Sequence, residues 1–507
     1  MPPAGRTGGV TTVDVLVIGC GPAGASAAIT AHDAGASVLV AEKRRSGGGN
    51  ALFAGGFLWD VRGADAVRHV QTLFFGKTDR SVAEAYVAGL NDLRSWIGKL
   101  GGEAVDVEPP PGSLPAVLPS WPHVPGSDGV RYWVVGGQPS LRRGEALWRL
   151  LTENLTAREI AVRHGQAATA LTVAGDGRVS GAVVAGEPVT ATRGVILACG
   201  GFEADEYFKD AFLPVPHLHR VGHDGNTGDA IRMTLQAGGA LWHMSEFFGW
   251  FAYQAAEYDA AFAVDFHGPG FVLVNAAGQR FCDETGYEVH ERLRALVNVK
   301  PALGYYPALP AYGICDGRTL RVGPLNGVVG TPNGYRWSAD NLAEVRRGWI
   351  ARADSPGELA ERLGLDPAVL TVTLAEFNAA VAAGRDDRFG RRAEYMAALD
   401  LADLYAIELW PAAATTSGGP RRDAWSRVVR PDGTAVPGLY AAGGAGTVWG
   451  PFTHSGGGLT DALVFGRLAG QHAASNVRSP ADTEPDGAAR AFGNRGNHPR
   501  RDPGREP

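Results

Sequence analysis

Six residues, Gly19-Cys20-Gly21-Pro22-Ala23-Gly24, follow the spacing G-x-G-x-x-G, and an acid, Glu42, stands 18 residues beyond Gly24. Each position answers a requirement of pyrophosphate binding. Gly19 permits a tight turn, Gly21 lets the backbone approach the phosphates, and Gly24 allows a helix to pack closely on a strand. A carboxylate at Glu42 is placed to accept hydrogen bonds from ribose hydroxyls. The chemistry these residues predict is dinucleotide binding, with the phosphates set against the N–H groups and positive dipole end of a helix N-terminus.

Such a site works only if a strand leads into the glycines and a helix leads out. Val13 to Ile18 is a short apolar run that suits a buried parallel strand, Pro22 to Ala34 an alanine-rich helix, and Ser37 to Ala41 a second strand ending at Glu42. Together they read as a βαβ unit. The fingerprint alone does not separate FAD from a nicotinamide cofactor. Two further glycine-rich blocks do: Ser46-Gly47-Gly48-Gly49-Asn50 with Gly55-Gly56 close behind Glu42, and Pro437-Gly438-Leu439-Tyr440-Ala441-Ala442-Gly443-Gly444 late in the chain. They predict a long cofactor lying against several backbone segments, and so FAD.

At 507 residues the chain exceeds one compact core, which predicts two domains. The expected fold class is α/β: a Rossmann-like FAD-binding domain, discontinuous over 13–240 and 405–475, with an inserted α+β capping domain over 241–404. A loose arm (1–12) and a disordered tail (476–507) flank them. Helices are expected over Arg80–Leu100, Leu342–Arg352 and Leu370–Ala383, strands joined by tight turns between Ile160 and Ala198, and an irregular Pro-rich stretch at 108–126. A net charge of −6 offers no basic surface for nucleic acid. Four widely spaced cysteines without a CxxC pair argue against a metal or iron–sulfur site and against a disulfide framework. No apolar run approaches the roughly 18 residues of a membrane span, and no signal-like segment precedes Val13, so the expected location is cytoplasmic.

Several stretches go beyond the fingerprint. They are Asp14 to Gly24, Glu42 with Gly48-Gly49-Asn50-Ala51, Ala198 to Phe202, Asn226-Thr227-Gly228-Asp229, Gly278-Gln279-Arg280-Phe281 with Glu284, Pro437 to Gly443, and Gly456 to Gly470. In this order they make the chain resemble the flavoproteins of the fumarate reductase and succinate dehydrogenase superfamily, which includes 3-ketosteroid Δ1-dehydrogenases and tricarballylate dehydrogenase-like proteins. The resemblance implies an FAD-dependent oxidoreductase acting on CH–CH groups, with substrate held between the two domains. It assigns to cofactor binding Gly19, Gly21, Pro22, Ala23, Gly24, Glu42, Lys43, Gly48, Gly49, Asn50, Gly55, Gly56, Ala198, Gly200, Asp229, Gly443, Gly458 and Leu459. Members with covalent flavin carry a His where Lys43 to Asn50 has none, so noncovalent FAD is implied.

The fumarate pattern is broken at its cationic positions. The Arg expected four residues after Glu284 is Glu288, the substrate-binding His falls at Thr415, the late carboxylate-binding Arg falls at Thr453 or His454, and a Glu-x-x-Arg relay falls at Val264 and His267. A buried dicarboxylate without cations is costly, so fumarate and succinate are disfavoured. The ketosteroid dehydrogenase pattern fits better. Tyr287 follows Glu284 as the implied acid/base, and His454 with the Gly458 N–H stands where those enzymes polarise a ketone. Tyr132, His290 and Arg292 are candidates for depressing the Tyr287 pKa.

The expected reaction is desaturation of a carbonyl-activated C–C bond, or enone reduction, with a hydride passing to or from flavin N5 and an enolate held by hydrogen-bond donors. The expected partners are a neutral or weakly charged small molecule and an external electron acceptor or donor. Two alternatives stand beside it. One is a carboxylate (tricarballylate- or fumarate-like) dehydrogenase or reductase using Arg318, Arg321 or Arg292 in place of the missing cations; the other is a flavoprotein electron-transfer subunit. His267, Arg318 and Arg321 are plausible cleft residues, with a place on the surface the default for both arginines. The aromatic residues Trp242, Phe247, Phe248, Trp250, Phe251 and Tyr253 either line an apolar pocket or form the cap's core.

Overall fold

The computed structural model describes residues 10–107, 121–136, 143–286, 291–298, 306–326 and 333–475. The opening unit folds as its pattern predicts, into β1 (Thr11–Ile18), α1 (Pro22–Asp33) and β2 (Val38–Glu42). Val15, Leu16 and Val17 are fully buried, since helices or loops cover both faces of the sheet. Each such side chain removed from water contributes about 1.5–3 kcal/mol.

β1 lies inside an eight-stranded sheet whose order is Arg427–Val429, Ala435–Ala441, Glu187–Leu197, β1, β2, Ala161–His164. A hairpin, Ala168–Val173 and Val179–Val184, extends it beside Glu187–Leu197. The pairings from Ala435–Ala441 through Ala161–His164 are parallel. Parallel register brings the carboxyl ends of these five strands to one edge, where α/β folds bind ligands.

The chain also forms a second, seven-stranded sheet. Its strand β3 (Phe247–Tyr253) and its spine β4 (Leu404–Thr416) pair antiparallel. β4 also pairs with Ala311–Asp316 and Ile350–Ala353, and in parallel with His219–Arg220. Leu241–Trp242 pairs with Gly419–Pro420 where the chain enters and leaves this second sheet.

The helices at Arg80–Lys99 and Pro367–Ala382 match expectation, the second started by the Asp366 side chain accepting from the N–H groups of Ala368 and Val369. The helix expected over Leu342–Arg352 is corrected. Only Leu342–Arg346 is helical, the chain turns at Gly348, whose φ is 77°, and Ile350–Ala353 is a strand on β4. Sheet pairing there outweighs local helix propensity. Of the flanking segments, residues 1–9 and 476–507 lie outside the described residues, as does 108–120 of the Pro-rich stretch.

The last helix, α2 (Gly457–Ala474), packs on α1. A Cβ on Gly466 would collide with Ala23 O, and one on Gly470 with Ala27 O. These two glycines let the helix backbones touch, which draws the start of α2 to the glycine turn. Around the second sheet, Glu284 receives Nε and Nη2 of Arg280, both at 2.8 Å, and Nη1 of Arg391 at 3.1 Å, while Asp386 takes Arg280 Nη2 at 2.9 Å. All four side chains are buried, so the Arg-Phe-x-x-Glu stretch staples the segments around the second sheet together. Among the described residues no helix is long and apolar enough to cross a membrane, and no His, Cys, Asp or Glu group is arranged to hold a metal.

Candidate active site

A deep cleft opens at the carboxyl ends of β1 and β2. Gly19, Gly21, Pro22, Ala23, Glu42, Lys43, Gly49, Asn50, Gly55, Gly56, Ala198, Gly200, Asp229, Gly458 and Leu459 line it. Gly24, Gly48 and Gly443 stand behind that lining. A Cβ on Gly24 would collide with Gly19 O, the Gly48 N–H donates to Cys20 O at 2.7 Å, and a Cβ on Gly443 would lie 2.9 Å from the Ala23 Cβ. Gly19 has a φ of 102°, and a Cβ there would lie 2.5 Å from Ala198 O, so the turn needs glycine for conformation and for space.

The N-terminus of α1 has no side-chain cap, which leaves its first-turn N–H groups for a ligand in the cleft. At Gly21 the nearest atom to a Cβ position is 3.9 Å away, so the backbone is open to close approach. Glu42 accepts the Cys20 N–H at 2.8 Å on Oε2 and the Arg44 N–H at 2.7 Å on Oε1. Those bonds hold the carboxylate at the strand end, and each oxygen keeps acceptor capacity for a ribose hydroxyl. These features fit the adenosine diphosphate half of FAD.

Other polar residues tie the lining segments together. Lys43 Nζ donates to Thr227 Oγ1 at 2.6 Å and to Asp229 Oδ2 at 2.7 Å. Asn50 donates to Glu203 Oε1 at 2.8 Å and Ala414 O at 3.0 Å, and accepts the His223 N–H at 2.6 Å. Glu203 is fully buried and also receives Asn226 at 2.6 Å; burial pushes its carboxyl above the ordinary value. Sequence reasoning missed Glu203, although an acid directly after Gly200-Gly201-Phe202 was a visible signal.

At the other end the cleft is walled by Thr415, Thr447, Thr453 and Ser455 and, from the second sheet and the loop after it, by Phe248, Trp250 and Asp265. The aromatic cluster divides by strand alternation. Phe248 and Trp250 line the cleft, while Phe247 and Phe251 enter the core on the other face. His267 is exposed with Nε2 3.0 Å from Pro324 O, Arg318 is 69% exposed and paired with Asp316, and Arg321 is 51% exposed and paired with Asp403. None of the three lines the cleft; Arg318 and Arg321 take the surface position that is their default, and His267 is held at the surface by a local partner. Tyr287, Glu288 and His290 lie outside the described residues.

His454 belongs to the cleft wall yet is 1% exposed. Its Nδ1 lies 2.8 Å from the Tyr132 hydroxyl, its Nε2 2.7 Å from His69 Nε2, and the Trp59 ring centre is 4.5 Å from its own. His69 Nδ1 is 2.9 Å from Pro125 O. A carbonyl only accepts, so His69 donates from Nδ1 and, when neutral, accepts at Nε2 from His454. His454 then accepts at Nδ1 from Tyr132. Burial holds His69 below the usual imidazole value, which favours this neutral arrangement. Both His454 nitrogens are thus engaged within the protein. His69, on the helix Ala66–Leu73, carried no sequence signal.

α2 starts in the same wall. Gly456 caps it with a φ of 82° and no side-chain bond, and Gly458 and Leu459 stand in its first turn, where N–H groups have no partner inside the helix. No atom lies within 4 Å of a Cβ position at Gly458. Fully buried Asp461 fixes this end by pairing with Arg422 Nη2 at 2.7 and 2.5 Å and accepting the Val448 N–H at 3.1 Å.

A family model described as "FAD binding domain" matches residues 14–459. The NADH:fumarate oxidoreductase of Klebsiella pneumoniae (strain 342) is 27% identical over 486 residues, which cover 92% of this chain and 48% of that protein. The chain therefore spans about half the length of that relative. The 4-oxocyclohex-2-ene-1-carboxylate 5-dehydrogenase of Sinomonas cyclohexanicum is 27% identical over 570 residues, 91% of this chain and 93% of that one. The crystal structure of 3-ketosteroid delta1-dehydrogenase from Sterolibacterium denitrificans superimposes with a TM-score of 0.80 at 22% identity, covering 92% of this chain and 100% of that one, a likeness of fold. With the glycine turn, the open α1 N-terminus and Glu42 all in register, the chain belongs to the FAD binding domain family and is an FAD-dependent oxidoreductase.

Proposed function

We propose that this chain desaturates a carbonyl-activated C–C bond, or reduces the corresponding enone, in the cleft between the FAD-binding layer and the cap. The uncapped start of α2 carries this reading: it brings the Gly458 N–H and a positive helix end to a wall shared with Phe248 and Trp250. When bound, FAD supplies or accepts the hydride. Phe248 and Trp250 form an apolar face that excludes water from the reacting carbons. The Gly458 N–H donates to the substrate oxygen as enolate charge builds, a kind of contact whose loss typically costs about 10²–10³ in turnover.

His454, locked between Tyr132 and His69, holds the loop leading into α2 at a fixed position. Tyr287 is proposed as the acid/base from its place after Glu284. An external electron donor or acceptor completes the cycle. A relative named for a ring ketone, the 4-oxocyclohex-2-ene-1-carboxylate 5-dehydrogenase, supports the ketone class. The test is anaerobic addition of saturated cyclic ketones to the oxidised holoprotein, followed by flavin absorbance. Bleaching is expected, as is reoxidation of the chemically reduced protein by cyclic enones. Reoxidation by fumarate, with no response to any ketone or enone, would overturn the proposal.

A further inference from the structure

Asp265 stands two residues past the strand Phe262–Ala263, and the alternation of that strand carries on through it. Phe262, Val264 and Phe266 enter the core that holds Phe247 and Phe251, whereas Ala261 and Ala263 pack with Trp250 on the opposite face. This period sets Asp265 on the Trp250 face, and both residues line the cleft. The Asp265 side chain is 13% exposed. Its Oδ1 accepts Nη1 of the buried Arg292 at 3.0 Å, and its Oδ2 receives no donor from the described residues.

Three acids line the cleft among the described residues: Glu42, Asp229 and Asp265. The first two receive donors from the chain on both oxygens. Glu42 takes the N–H groups of Cys20 and Arg44, and Asp229 takes Lys43 Nζ at 2.7 Å and Thr227 Oγ1 at 3.1 Å. Asp265 alone keeps an oxygen that the chain does not serve. Arg292 is not part of the cleft lining, so the oxygen it holds is turned from the cleft and Oδ2 is the one left to a ligand. A carboxylate only accepts, so that ligand must bring an O–H or N–H group.

Charge narrows the choice of donor. Arg292 pairs with no other acid among the described residues, so it offsets the charge of Asp265. A substrate ammonium would find no net negative charge to compensate its lost hydration, and a substrate carboxylate would oppose Oδ2 directly. An uncharged donor meets neither cost.

We infer that Asp265 accepts a hydrogen bond through Oδ2 from an uncharged O–H or N–H group of the substrate, so that the cleft selects a ketone carrying a hydroxyl or similar donor. The ketone half of that statement rests on the proposed function; the donor half stands on Asp265.

The test titrates oxidised holoprotein under anaerobic conditions with 4-(hydroxymethyl)cyclohexanone and with its methyl ether, which accepts but does not donate. The visible flavin spectrum reports half-saturation. The alcohol is expected to bind about 10- to 100-fold more tightly than the ether, as a hydrogen bond to a charged group requires. Asp265→Asn keeps an oxygen for Arg292 but places an amide donor in the cleft, and the preference for the alcohol is expected to vanish. An alcohol that binds wild-type protein no more tightly than the ether overturns the inference, as does a preference that survives in Asp265→Asn. Tighter binding of the protonated 4-(aminomethyl)cyclohexanone, or of 4-oxocyclohexanecarboxylate, than of the alcohol would also overturn it. Should Asp265→Asn fail to fold, the wild-type comparisons decide alone. Alcohol-selective binding without flavin bleaching would sink the ketone reaction but keep the Asp265 site; bleaching by alcohol and ether at equal affinity would do the reverse.

Discussion

His69 Nε2 lies 2.7 Å from His454 Nε2, so two imidazoles from segments 385 residues apart share one proton inside the wall of the cleft. His69→Ala leaves the His454 nitrogen without a partner. Stability is expected to fall by about 1–3 kcal/mol, with slower turnover and FAD still bound. Urea unfolding alongside flavin absorbance checks this, and unchanged stability would show that the bond contributes nothing.

Gly19→Ala places a methyl group 2.5 Å from Ala198 O at a φ that side chains avoid. The purified variant is expected to carry little FAD. Flavin-to-protein ratio after gel filtration measures it; a full complement of FAD would contradict the close packing of the turn.

Glu42→Ala removes the acceptor of the Cys20 and Arg44 N–H groups together with the expected ribose partner. FAD affinity is expected to weaken about 10- to 100-fold, read by titrating apoprotein with FAD. A dissociation constant equal to wild type would exclude Glu42 from the cofactor site.

Glu284→Gln breaks the buried pairing with Arg280 and Arg391. Loss of one partner from a buried ion pair costs about 3–5 kcal/mol, so a large drop in the denaturation midpoint is expected while FAD remains bound. If FAD were lost with no change in the midpoint, Glu284 would belong to the cofactor site and not to the staple around the second sheet.

Burial lowers the imidazole pKa of His69, His219, His223 and His243 from the ordinary 6.5. As pH falls below 6.5 the unfolded chain takes up protons that the folded chain resists, so stability is complete above that value and declines beneath it. Thermal melts should show a midpoint that is flat near neutrality and falls steadily toward about pH 5. A midpoint rising with acid over that range would contradict the neutral burial of these rings.

The βαβ unit, the FAD fingerprint and most of the cofactor-lining residues were legible in the sequence, because glycine spacing and hydrophobic period encode local backbone geometry. Gly19, Gly21 and Glu42 act through turns and strand ends that neighbouring residues specify. The catalytic end was less legible. Whether Phe248 or Phe247 faces the cleft depends on which face of β3 the core buries, and Ile350–Ala353 is a strand because β4 lies beside it. His454 takes two partners, His69 and Tyr132, from a distant helix and strand. The sequence by itself determined the cofactor and the layer that holds it. Which charges and donors meet the substrate was decided by long-range packing, since a side chain's partners and burial are set by elements that no local pattern encodes.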